Sequence, residues 1–349
     1  MLNKNYNSKE IGSEFWDVPI SETDNNVFDK NTRWFISGTS ALEYIIADII
    51  NNNDIDIAAI PSWCCSCMIT PFLKNNIKVK FYPVYMDKDN HLVCDYSAAN
   101  GCDICLVMSY FGYVSQRSIG KPSGIIIRDI THSIFSKKFD DANYYFGSLR
   151  KWAGFWTGGY AWVQDFWHND TEIQSVADEY VNLRKKAMND KQQYIKGITD
   201  SKEYLELFER CEEYLDSCDI VEGDIRDIQS AQKLNVSFIK EQRRKNAEIV
   251  LNELRDIAIF PYLQEDECPL FVPIVLPHET RNHLRNYLIR QEIFCPIHWG
   301  ESELHKLDIR TRKLYEEELS LVCDQRYTEK DMIRAVNEIK KFMYENKID

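Results

Sequence analysis

The chain has 349 residues, 44% of them hydrophobic and 13% aromatic, which is more than one hydrophobic core usually organises. Its 42 Lys and Arg against 55 Asp and Glu give a net charge of -13, which repels phosphate backbones and anionic lipid and argues against nucleic-acid or membrane partners. No uncharged apolar run approaches the roughly 20 residues a bilayer span needs. The polar start MLNKNYNSKEIGSEFW lacks the apolar stretch of a signal peptide, so a cytoplasmic address and reduced thiols for the 11 cysteines are expected.

In chain order, an N-terminal segment over residues 1–30 precedes a large domain over 31–240. Between residues 33 and 163, short apolar strands alternate with helices or turns, the pattern of a mostly parallel sheet covered on both faces. The expected strands are Arg33–Ile36, Ile55–Ile60, Val79–Val84, Ile104–Ser109, Gly124–Arg128, Tyr144–Phe146 and Tyr160–Val163. Leu42, Ile45, Ile46, Ile49 and Ile50 recur at helical spacing after a Ser37 or Thr39 cap. Residues 170–255 are charged and helical and are expected to link two domains. A small α+β domain over 241–349 follows, with strands in Cys268–Leu276 and Ile293–His298, a helix over Glu279–Gln291 and a closing amphipathic helix over Glu329–Tyr344.

Three features of the large domain bear chemistry. In SGTSAL, Gly38 lets the chain turn tightly into a helix whose first N–H groups suit a phosphate, although such a strand-turn-helix taken alone is more often plain capping. In RDITHS, Asp129 follows the apolar run GIIIR and falls at a strand's carboxyl end, the edge where open α/β sheets bind ligands. In GSLRKWAGFWTGGYAWV, Ser148 and Lys151 occupy a polar turn before the Gly158–Gly159 pair, with Trp152, Phe155 and Trp156 as apolar cover for a desolvated lysine. Cys64, Cys65 and Cys67, with the distant Cys102 and Cys105, could suggest zinc. Cys102–Cys105 leads into an apolar strand, where cysteine serves as a small core residue, and no metal site is expected.

Phosphate turn, acid and then lysine, 151 minus 129 or 22 residues later, is the order found in fold type I enzymes of pyridoxal phosphate (PLP). From about Trp34 to Phe342 the chain resembles the DegT/StrS family of PLP-dependent sugar aminotransferases. The resemblance rests on SGTSAL, IPSWCCSCMI with VKFYPV, SYFG, DITHS, Lys151 with Gly158 and Gly159, GDIRDIQSAQKLNVSFIKEQRRKNAEIV, CPIHW and DQRYTEKDM. It implies fold type I, an α/β large domain with a mostly parallel seven-stranded sheet plus a small α+β C-terminal domain. It further implies Lys151 as the lysine that holds the cofactor and shuttles the proton, Asp129 on the ring nitrogen and His132 on the ring oxygen. Gly38, Thr39, Ser40 and Ser148 would take the phosphate, Trp63 and Cys65 are candidates to cover the ring, and His298, Arg326 and Tyr327 become candidate substrate-side residues.

By the same resemblance the reaction moves an amino group, usually from glutamate, to a nucleotide-linked keto sugar for surface polysaccharide synthesis, in a homodimer. The dehydratase relatives replace the lysine with histidine, and this chain keeps lysine. Three departures stand out: Thr157 where a Glu precedes the paired glycines, Phe146 where a serine is usual, and Cys65 where an aromatic residue commonly stacks. The N-terminal segment is also short, which leaves a small keto substrate open as the acceptor. A PLP-fold binding or regulatory protein without turnover is the reading from another class.

Overall fold

The computed structural model describes residues 9–25, 27–28, 31–169 and 173–348. Residues 1–8, within the expected N-terminal segment, lie outside it. A short strand β1 (Ile11–Gly12) is followed by β2 (Arg33–Phe35), α1 (Gly38–Ile50), β3 (Ile57–Pro61), α2 (Thr70–Lys74) and β4 (Lys78–Tyr82). Then come β5 (Val84–Met86), β6 (Leu92–Asp95), β7 (Ile104–Met108), β8 (Arg117–Ile119), β9 (Ile125–Asp129), β10 (Tyr144–Ser148) and β11 (Gly159–Val163). The sheet runs β4-β3-β7-β9-β10-β11-β2. It is parallel from β4 to β10 and antiparallel where β11 joins β10 and β2, so seven mostly parallel strands form as expected.

The central strands show why. IAAIP, ICLVM and IIIRD are buried along most of their length, and strands covered on both faces read as continuous apolar runs. α1 covers one face with Leu42, Ile45, Ile46 and Ile49, all at most 1% exposed. Ser37 caps it, its Oγ accepting from the Ser40 N–H at 3.1 Å. The expected single strand Val79–Val84 is two strands, because Pro83 has no N–H to continue the ladder. β5 leaves for a small second sheet with β6 and β8, unforeseen because β8 is exposed throughout and shows no apolar alternation.

The helical segment comprises α3 (Asp178–Ile195), α4 (Tyr204–Ser217), α5 (Ile225–Gln232) and α6 (Val236–Leu254). α6 passes from one core to the other: Ile239 packs under the sheet, whereas Ala247, Val250, Leu251 and Leu254 join the C-terminal core. There β12 (Phe271–Val275), α7 (His278–Arg290), β13 (Ile293–Phe294), α8 (Ile309–Glu317), β14 (Glu318–Val322) and α9 (Glu329–Glu345) complete the chain. β12 pairs antiparallel with β14, a strand missed because it opens on a charged residue. β13 is shorter than the expected Ile293–His298, Pro296 interrupting it, and it pairs in parallel with β1. Ile11 is therefore part of the C-terminal core. Among the described residues no helix is long and apolar enough to cross a membrane.

Candidate active site

Asp129 is the last residue of β9 and only 5% exposed. Its Oδ1 accepts from the Thr131 N–H at 2.7 Å, and among the described residues no Lys or Arg forms an ion pair with it. Burial pushes its carboxyl up to about 6, against the Thr131 hydrogen bonds and the charge of Lys151. His132 is also buried, and burial with the Lys151 charge lowers its ring to about 3, so it is neutral. The ring of Trp299 stacks on it at 5.7 Å and 17°.

Lys151 ends a short turn after β10, and its loop is pinned on both sides of the site. Trp152 Nε1 donates to the Thr131 carbonyl at 2.6 Å, and Gln325 Nε2 donates to the Trp152 carbonyl at 2.6 Å. Trp152 and Phe155 are fully buried beneath the loop and Trp156 is half-buried. The expected apolar cover is therefore a floor: the Lys151 side chain is exposed and opens into a cavity. The paired glycines have separate causes. Gly158 has φ +124°, and a Cβ on Gly159 would stand 2.0 Å from the Ser37 carbonyl oxygen. Thr157 stands where resemblance expected Glu, and it is spent on structure, its N–H and Oγ1 donating to Asp227 Oδ2 at 2.7 and 2.8 Å.

The start of α1 meets the end of β10. A Cβ on Gly38 would lie 3.5 Å from the Ser148 Cβ, so Ser148 adjoins the first turn of α1, the end of a helix whose leading N–H groups suit an anion. Ser40 is occupied elsewhere: its Oγ donates to the Asp219 carbonyl and accepts from the Val221 N–H. Trp63 is fully enclosed, stacked on Tyr110 at 5.0 Å, with Nε1 donating to the His298 carbonyl at 2.6 Å. Cys65 is half-buried, and hydrogen bonding from Cys67, against burial and helped by Lys151, holds its thiol down to about 6. The electrostatic reach of Lys151 thus takes in Asp129, His132, Cys65 and His298.

The cavity beside Lys151 has a volume of about 450 Å3 and lies between the sheet domain, the C-terminal domain and residues 10–15. Seven basic and four acidic side chains line it, an excess of cations in an acidic protein. Arg326 pairs with Asp324 at 2.8 Å, Arg150 and Arg184 share Glu212, and Lys202 pairs with Glu292 at 3.0 Å. Lys151, Arg243 and Arg285 have no ion pair among the described residues, and the buried Arg243 leaves its Nη2 without a hydrogen-bond partner. His298 and Arg326 line the cavity. Tyr327 does not: it is 2% exposed and its hydroxyl accepts from the Gly12 N–H at 2.8 Å. The sequence reading overlooked Trp299, Arg243 and Arg285, although Trp299 stands beside His298 in the CPIHW motif.

No protein-family model matches this chain, and no curated protein does. Solved structures do. The aminotransferase PseC of Helicobacter pylori, involved in the biosynthesis of pseudoaminic acid, is 14% identical over 95% of this chain and 100% of its own, with TM-score 0.61. A DegT DnrJ EryC1 StrS aminotransferase from Brucella abortus is 15% identical over 89% and 85%, with TM-score 0.56. NtdA from Bacillus subtilis, with bound cofactor PMP, is 13% identical over 90% and 73%, with TM-score 0.57. In architecture the chain has the fold of the fold type I PLP aminotransferases.

Proposed function

We propose that the protein is a PLP-dependent aminotransferase that moves an amino group from an amino acid, glutamate by preference, to a nucleotide-linked keto sugar. The observation that carries this reading is Asp129: a carboxylate at a strand's carboxyl end, buried and without a cation, beside a pinned loop that presents Lys151. A buried acid held near 6 matches a ring nitrogen that brings its own proton. The donors at the start of α1 with Ser148, and the neutral His132, fit a phosphate and a phenolic oxygen in the same way.

When bound, PLP supplies an electron sink for the carbon that loses a proton. The chain's own residues do the rest. Lys151 holds the group covalently until an amine displaces it, then moves a proton at its Nζ. Asp129 keeps the ring nitrogen protonated, and His132, which stays neutral, shares a proton with the ring oxygen. The cavity accepts the substrate, where Arg243 and Arg285 suit the anionic part of a nucleotide sugar. Homodimer formation, a cytoplasmic site of action and a place in surface polysaccharide synthesis complete the proposal.

The test is the absorption spectrum of the protein loaded with PLP, before and after glutamate, beside Lys151→Ala. Covalent attachment gives a visible band that glutamate discharges and that the variant lacks. An identical spectrum without Lys151, or no binding, refutes the reading in favour of a binding protein without turnover. Transfer to a small keto acid but to no nucleotide sugar would leave the chemistry standing and replace the acceptor.

A further inference from the structure

His298 lines the same cavity as Lys151, and a closed hydrogen-bonded circuit stands behind it. Its backbone N–H donates to Glu318 Oε2 at 2.7 Å. The other carboxyl oxygen, Oε1, is 2.5 Å from Ser320 Oγ, which in turn is 2.8 Å from His298 Nδ1. Glu318 and Ser320, both on β14, are 0% exposed, whereas the His298 side chain is 12% exposed. Nε2 is therefore the ring atom left for the cavity. Arg281, on α7, donates to the Glu318 backbone carbonyl at 2.9 Å and makes no ion pair with the carboxylate.

This circuit has two self-consistent states. When Glu318 is ionised, Ser320 donates to it and accepts from His298 Nδ1–H, leaving a lone pair on Nε2. When Glu318 carries a proton on Oε1, that proton goes to Ser320 Oγ, the serine O–H donates to Nδ1, and Nε2 must carry hydrogen. We propose that Glu318 and Ser320 form a proton relay that sets which hydrogen bond His298 presents to the cavity and delivers one proton through it to the substrate's departing carbonyl oxygen. The delivery, though not the circuit, rests on the aminotransferase reading.

The protons balance. As the carbon–oxygen bond breaks, its electron pair stays on oxygen, and the attacking amine nitrogen supplies the pair that replaces it at carbon. Nε2–H gives its proton to that oxygen, which leaves as water. The Ser320 hydroxyl proton passes to Nδ1, and the Glu318 proton passes to Ser320 Oγ. The relay ends with Glu318 ionised and His298 neutral, and water addition in the reverse direction reloads it.

The surroundings support a proton on Glu318 rather than on His298. Burial raises the Glu318 carboxyl to about 8, against hydrogen bonds from Ser320 and His298 and the charge of Arg281. Burial, His132 and Lys151 all oppose a charged His298, and Cys295, packed in the same core, is a neutral thiol raised by burial to about 12. The circuit therefore holds a single mobile proton near neutral pH.

The test uses the full chain without cofactor, labelled with 15N-histidine, and reads the His298 tautomer from long-range proton–nitrogen correlations against pH, with His298→Asn assigning the signal. Wild type should carry Nε2–H below the Glu318 transition and Nδ1–H above it, with the crossover near pH 8. Glu318→Gln, whose amide can only donate to Ser320, should hold Nε2–H at every pH, and Ser320→Ala should abolish the crossover. The other six histidines report whether each variant folds. A pH-independent tautomer in wild type, a crossover surviving in Ser320→Ala, or an imidazolium near neutral pH overturns the circuit. Delivery is read separately. Glu318→Gln should load cofactor normally yet slow the half-reaction in which the amine form of the cofactor is discharged by a keto acid such as 2-oxoglutarate by roughly 100-fold or more, and an unchanged rate overturns that step. A failure of Lys151→Ala to alter the cofactor spectrum refutes the aminotransferase reading and leaves the tautomer result standing.

Discussion

Asn in place of Asp129 should make the cofactor-free protein more stable while weakening its hold on PLP. The carboxyl rises from 3.8 to about 6 on folding, chiefly through burial. At about 1.4 kcal/mol for each pKa unit, a shift of roughly two units corresponds to about 3 kcal/mol. Because the folded value lies above the unfolded one, this is a cost: absent below about pH 4, growing between about pH 4 and 6, and complete above. Asn retains an oxygen for the Thr131 N–H, so the substitution removes the charge and keeps the hydrogen bond. Unfolding free energies from urea titrations of cofactor-free wild type and Asp129→Asn across this pH range provide the assay. The variant should lead by up to about 3 kcal/mol at neutral pH, with the gap closing in acid. Saturating PLP should reverse the order, since ligand binding stabilises only the protein that holds it. A gap that ignores pH, or a variant less stable at neutral pH, would refute the argument that Asp129 is kept for a partner it lacks alone.

Three further outcomes follow from the geometry. Gly159→Ala places a Cβ 2.0 Å from the Ser37 carbonyl and should cost more than about 4 kcal/mol, seen as loss of soluble protein, whereas Gly158→Ala, strained by φ +124° and by 3.3 Å contacts with the Leu149 and Phe155 Cβ atoms, should cost about 1–3 kcal/mol in urea unfolding. Arg285→Ala should raise KM for a nucleotide-linked acceptor about tenfold, the equivalent of about 1.4 kcal/mol, with the cofactor spectrum unchanged; an unaltered KM removes this arginine from the substrate site. Glu10→Gln breaks a fully buried ion pair with Lys191 at 2.9 Å and should cost about 3–5 kcal/mol near neutral pH. Burial lowers Lys191 to about 8, so charging it is costly below that value and the cost falls away as pH rises. The deficit of Glu10→Gln in denaturation curves should therefore narrow above about pH 8.

The sheet was legible because its central strands are buried on both faces and so carry uninterrupted apolar runs, as in ICLVM and IIIRD. Asp129 and Lys151 could be named because each closes a local pattern: an acid at the end of such a strand, and a lysine ahead of paired glycines. The remainder depends on distant encounters. Arg243 looks like one more charged residue on a charged helix until Gln325 and the carbonyls of Pro269 and Leu270 enclose it. Glu318 reads as the end of an acidic helix, EEE, and only the pairing of β14 with β12 turns it inward. Ser40 shows the opposite limit. The residue fits a phosphate turn, yet its hydroxyl holds the backbone at 219–221, a partner that helical spacing does not reveal.

The pairing of β1 with β13, and the Tyr327 hydroxyl on the Gly12 N–H across 315 positions of sequence, bear on how the protein is made. Residues 10–15 form one wall of the cavity, but the residues that hold them emerge from the ribosome only after the whole sheet domain has been synthesised. The seven strands of the sheet, all within residues 33–163, can thus be complete before the partners of residues 10–15 exist. Closing a loop of that length costs more chain entropy than a local contact does. The cavity, unlike the sheet beneath it, depends on contacts between the two ends of the chain.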